Sequence, residues 1–140
     1  MKKRRPDRGQ ALAEMGIIVL LFVTLVMGML EFGRAWMVAN MITHATRDGA
    51  RMAAVIPPYP SSQRNSSGTF TDTSAIQNQV LSEIQNVIPT TGFSVNVTQP
   101  TSNGVPMVQV QVNATVPYLF NLVGTSFGVA RTVTFRDEGR

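Results

Sequence analysis

A chain of 140 residues is sized for one domain, and if a long helix protrudes from it the remainder holds a small core but no deep catalytic cleft. The absence of cysteine excludes disulfides and thiolate metal sites. The net charge of +4 sits at the start, where Lys2, Lys3, Arg4, Arg5 and Arg8 stand against Asp7. From Gln10 onward acids and bases balance, so no basic face remains for nucleic acid.

Residues 1–9 read as a basic leader, and residues 10–30 as a transmembrane helix. Met15 to Leu30 carries no charge, and extended back to Gln10 the stretch reaches the roughly 20 residues a span requires. Glu14 is its one interruption. With the basic cluster held in the cytoplasm, everything after Leu30 lies outside. A cleaved secretory signal fits poorly, because "EFGRAWMVAN" follows where a small-residue cleavage site would stand.

The helical pattern then continues over residues 31–56. Apolar or small side chains recur at Phe32, Ala35, Trp36, Ala39, Ile42, Ala45, Gly49, Met52, Ala53 and Ile56, with polar ones mostly between them. The first proline after the leader comes in "PPYP", 57–60, which ends the helix after roughly 70 Å. Trp36 suits the headgroup region or the core of the head equally well. Glu31 and Arg34 are i, i+3 neighbours able to pair at the membrane edge. His44 has no second ligand at metal spacing.

Residues 57–74, rich in Pro, Ser and Thr, read as a loop, and residues 75–140 as an α+β head packed on 31–56. "TSAIQNQVLSEIQNVIP" places Ile76, Val80, Ile84, Val87 and Ile88 on one helical face, capped by Asp72 or Thr73 and stopped by Pro89. Period-two alternation follows. Phe93, Val95 and Val97 line one strand, and Val108, Val110, Val112, Ala114 and Val116 a second. A third sets Val129, Val133 and Phe135 inward, and Asn103-Gly104 marks a hairpin turn. Three antiparallel strands with one wet face need a cover, and the amphipathic half of the long helix is the natural one. The acids of the head, Asp72, Glu83, Asp137 and Glu138, lack paired-carboxylate or metal spacing, and no serine sits in a G-x-S-x-G setting. No catalytic residue, metal or cofactor is expected.

The order of basic leader, Gly9, four residues, Glu14 and an apolar helix running into an α+β head resembles type IV pilin-like proteins. "EFGR" (31–34), "THATRDGARMAA" (43–54) and the closing "VQVQVNATVPYLF" and "ARTVTFRDE" resemble the TadE-like branch, the minor pseudopilins of the Tad (Flp) pilus system. Met15 stands where Flp-type motifs carry tyrosine. The resemblance implies cleavage between Gly9 and Gln10 by prepilin peptidase, and an assembly role for Glu14. It also gives Arg47, Asp48, Gly49 and Arg51 as a helix motif. The implied partners are other pilins and pseudopilins, the peptidase, the inner-membrane assembly platform and the lipid bilayer. The implied location is the bacterial inner membrane, single-pass, with the head periplasmic or extracellular. Glu14 would meet the new α-amino group of a neighbouring subunit, since a pair tolerates burial where either charge alone does not. The competing expectation is a signal-anchored extracytoplasmic binding module, unprocessed, with Glu14 snorkelling to the headgroups.

Overall fold

The computed structural model describes residues 8–85, 92–121 and 124–139. The leader up to Asp7, and Val87, Ile88 and Pro89 of the second helix, lie outside the described residues. Two helices and four strands follow in chain order: α1 (Arg8–Ala54), α2 (Ser74–Gln85), β1 (Gly92–Thr98), β2 (Thr101–Ser102), β3 (Val105–Pro117) and β4 (Ser126–Arg136). The fold is α+β, with a long N-terminal helix and a second helix packed on a small antiparallel sheet.

Helix α1 runs for 47 residues without a break. It stops at Ala54, two residues short of the expected Ile56, because Pro57 and Pro58 push the residues before them out of helical geometry. Its two halves differ in what they touch. The apolar half is bare: Leu12, Ile17, Leu20, Leu21 and Phe22 are each about two-thirds or more exposed. Within it Thr24 returns its hydroxyl to the Leu20 carbonyl at 2.8 Å, which leaves no unsatisfied donor on an apolar surface. Burial begins abruptly at Glu31 and continues through Val38, Ile42, Ala45, Thr46, Gly49, Ala50 and Ala53.

Of the positions the apolar pattern suggests, Ile42, Ala45, Gly49, Ala53 and Ile56 are buried, and the large side chains Phe32, Trp36 and Met52 are not. Phe32 and Trp36 are 71 % and 64 % exposed, so Trp36 is not a core residue, and Met52 also faces out. Thr46 is buried instead, its hydroxyl donated to the Ile42 carbonyl at 2.6 Å. Hydrophobicity alone does not select the stripe here. The small residues do, because Ala45, Gly49, Ala50 and Ala53 let α2 and the sheet approach the helix axis.

The sheet is centred on β3. Strand β1 pairs along one edge of it, Val95 opposite Val112, and β2 continues the same register, Ser102 opposite Val105. Strand β4 pairs along the other edge, Val110 opposite Val133. Asn103 and Gly104 both have positive φ, 50° and 77°, which makes a two-residue turn of the kind that joins twisted strands. Val108, Val110, Val112, Ala114 and Val116 meet α1 and α2 in one core with Ile76, Val80 and Ile84. On β4, Val129 is buried and Phe127 and Val133 pack against the core. Phe135, expected inward, is 39 % exposed, on an open cleft that it lines with Arg51 and Ala54 at the end of α1. The start of α2 is fixed by Asp72, whose carboxylate accepts from the Ser74 N–H at 2.7 Å and is held below the usual carboxylate range by that bond.

Gly49 is the closest point between the helices. A Cβ placed there would collide with the Val80 side chain. Gly49→Val should therefore destabilise the head by about 1–3 kcal/mol through overpacking. Urea denaturation of the detergent-solubilised chain, followed by circular dichroism, measures this. An unchanged midpoint would remove the packing explanation for this glycine.

Candidate functional site

Three polar constellations punctuate an otherwise apolar architecture. The first is at the start of α1. Glu14 is exposed among Leu12, Met15, Ile17 and Ile18, all more than half exposed. Its Oε1 accepts from the Gln10 Nε2 amide at 3.0 Å, one helical turn before it. Among the described side chains no cation comes within ion-pair distance of it. One carboxylate oxygen is thus held by the neighbouring turn, and among the described side chains nothing else polar is bonded to the group. Gly9 and Gln10 occupy the first turn of α1, and a Cβ at Gly9 would meet nothing within 4 Å. The peptide between them lies within the first turn of the described helix, where a helix is easiest to unwind.

The second constellation is at the junction of the two halves of α1. Glu31 is 9 % exposed and its carboxylate accepts from the backbone N–H groups of Leu119 (3.0 Å) and Phe120 (3.3 Å) in the segment after β3. Arg34 lies 3.6 Å from the same carboxylate and donates to the Pro117 carbonyl at 2.7 Å. The pair is more than a local helix contact: together the two side chains clamp the 117–120 backbone to the helix. A carboxylate with two backbone donors and a guanidinium beside it is well provided for where an isolated one would be costly.

The third constellation holds the distal end of the head. Arg64 and Asp137 are both fully buried side chains joined by two parallel bonds of 2.9 and 2.7 Å. Arg64 also donates to the Gly68 carbonyl at 2.9 Å and lies over the Phe70 ring at 4.5 Å. Gln99 gives its amide to Asp137 at 3.1 Å and accepts from the Phe70 N–H at 2.8 Å, while the Gly139 N–H donates to Asp137 at 3.1 Å. Burial by itself pushes the Asp137 carboxyl up, but the bonds from Arg64, Gln99 and Gly139 outweigh it and hold the group below its usual range. This network ties the 57–73 segment and the C-terminal residues to the end of α1, where the Glu138 N–H caps the Ala54 carbonyl at 3.1 Å. Nothing in the sequence pairs residues 73 positions apart, and neither lies in a periodic element that would aim it at the other.

Of the helix motif, Gly49 is buried against α2, whereas Arg47, Asp48 and Arg51 are exposed and, among the described residues, make no ion pair. His44 is exposed, and among the described residues no group of three or more His, Asp or Glu is placed to hold a metal ion. An open cleft of about 430 Å³ beyond the end of α1 is lined by Arg51, Ala54, Val55, Phe135, Arg136 and Glu138.

Neither the curated proteins nor the solved structures contain a match to this chain. The family model described as TadE-like protein matches residues 9–51, from the glycine ahead of Gln10 through Glu14, the Glu31–Arg34 junction and the motif around Gly49, and this is the family the sequence resembles.

Proposed function

We propose that the chain is a minor pilin or pseudopilin, a structural subunit that assembles with other pilins of a Tad pilus used in adherence. In this reading it is cleaved between Gly9 and Gln10 by prepilin peptidase, lies across the inner membrane once, and carries its head outside. The observation that carries the reading is the bare half of α1. It is long enough to span a bilayer, has no buried residue, and is marked by one carboxylate four residues after Gln10. The TadE-like match over residues 9–51 supports the same conclusion. A helix of this kind has two covers, lipid before assembly and neighbouring helices after it. Removing the leader releases the basic anchor that holds the N-terminus at the cytoplasmic face. The assembly platform would then draw the subunit from the bilayer into the bundle.

Intact-mass measurement of the membrane protein, in cells with an active prepilin peptidase, tests the first step. The wild-type chain should begin at Gln10, and Gly9→Val should remain full length, because a bulky side chain obstructs the close approach to a protease site that a residue without Cβ allows. The substitution meets no neighbour in the fold, so a block in processing is not a folding defect. A wild-type chain that retains its leader would favour a signal-anchored binding module.

A further inference from the structure

We infer that the head has a second point of attachment to the bilayer, the segment Pro117–Phe120, which Glu31 and Arg34 hold flat against the outer lipid surface. The inference rests on the membrane reading of residues 10–30. At 1.5 Å per residue that stretch covers about 30 Å, the thickness of the hydrocarbon core, which puts Glu31 at its outer boundary. The Leu119 and Phe120 N–H groups bond directly to the Glu31 carboxylate, so their backbone shares that depth. Their side chains are 59 % and 38 % exposed, which is unusual for large apolar residues so tightly fixed.

The patch extends from the segment onto one side of the helix. Tyr118 lies against Phe127, ring centroids 5.3 Å apart and tilted by 40°, and Phe127 lines a shallow groove of about 310 Å³ with Phe32, Trp36 and Ala39. Phe32 is one residue beyond Glu31, and Trp36 is one turn further, at headgroup height, where an indole is favoured. A collar of aromatic and aliphatic side chains therefore flanks the exit of the helix on the side that carries the head. A single span leaves a head free to tilt about its neck. A collar seated in the interface on a clamped segment would fix one orientation, and with it the face offered to a neighbouring subunit. Glu31 fits this role, because its charge is absorbed by the donors of the segment it positions.

The chain has no cysteine and one tryptophan, so single labels are unambiguous. Leu119→Cys, Phe22→Cys in the middle of the span, and Ser102→Cys at the exposed hairpin tip would each carry an environment-sensitive fluorophore. The full chain is reconstituted alone in phosphatidylcholine vesicles, with lipids bearing a nitroxide at a shallow or deep position and with aqueous iodide as the opposing quencher. The label at 119 should be quenched by the shallow nitroxide several-fold more than the label at 102, and Trp36 should follow it, while iodide shows the reverse order. A label at 119 that is as open to iodide as the one at 102, with position 22 quenched by the deep nitroxide, overturns the attachment and leaves the span intact. Failure of the deep nitroxide to quench position 22 overturns the span and the attachment with it.

Discussion

Asp137→Leu should cost the head about 3–5 kcal/mol, because it strands the buried Arg64 guanidinium without a counter-ion. A small domain has only about 5–15 kcal/mol of stability in total, so this substitution takes a large share of it. The remaining contacts of Arg64 would be the Gly68 carbonyl and the Phe70 ring, and among the described residues its Nε has no acceptor. Arg64→Met is the milder change, since Asp137 keeps its bonds from Gln99 and the Gly139 N–H. The double variant Arg64→Met/Asp137→Leu should be less destabilised than Asp137→Leu alone, as a charge pair exchanged for apolar volume removes both desolvation penalties together. Urea midpoints for the four proteins test this. Strict additivity of the two substitutions would show that the side chains are not coupled.

The same pair sets an acid limit. Because the folded-state pKa of Asp137 lies below its unfolded value, the associated stabilisation is complete above the ordinary carboxylate range of about 3.9 and is lost as pH falls through the lower folded value. Stability should therefore change little from this source between pH 7 and 5, then fall below about pH 4. Asp72, also held low, acts in the same direction but is fully exposed. In the double variant the acid-dependent loss should shrink to the remainder from other carboxylates.

How far the sequence discloses this molecule depends on the range of each interaction. The strands and α2 are legible because period two and period 3.6 record which face meets the core, and Val108 to Val116 and Ile76, Val80 and Ile84 lie where those periods put them. The boundary at Glu31 is legible because a charge ends an apolar run. The orientation of α1 within the head is legible only in part: Ile42, Ala45, Gly49 and Ala53 are buried where the pattern puts them, whereas Phe32 and Trp36 are exposed although more hydrophobic than the Ala and Gly positions. Close helix packing favours small residues, and a hydrophobicity pattern gives them little weight. Arg64–Asp137 is invisible for a different reason. Each residue sits in irregular chain, and only tertiary closure between the 57–73 segment and the C-terminus brings them together. For Glu14, Gly9 and Gln10 the spacing is readable, and among the described residues only the Gln10 contact is made; in the proposed assembly the remaining partner belongs to another molecule.

That absence makes Glu14→Leu the most informative substitution for function. If Glu14 pairs with the α-amino group of a neighbouring subunit, the variant should be cleaved and inserted normally, since it removes a charge from an apolar surface and touches nothing in the head. Association with partner pilins should fall by two orders of magnitude or more. An amine buried without its counter-charge costs about 3–5 kcal/mol, and each ~1.4 kcal/mol is a factor of ten in affinity. Glu31 is no control for this experiment, because its carboxylate organises the segment after β3. Glu83 is better placed, its side chain bonded only to Gln79 on the outer face of α2 among the described contacts. Site-specific crosslinking to partner pilins and pilus-dependent adherence should therefore collapse in Glu14→Leu and persist in Glu83→Gln. Glu14→Gln separates charge from hydrogen bonding: it can still take the Gln10 amide but offers no anion, and under the pairing hypothesis it should fail almost as completely. Crosslinking at wild-type levels in processed, inserted Glu14→Leu protein would leave the carboxylate as a headgroup anchor with no part in assembly.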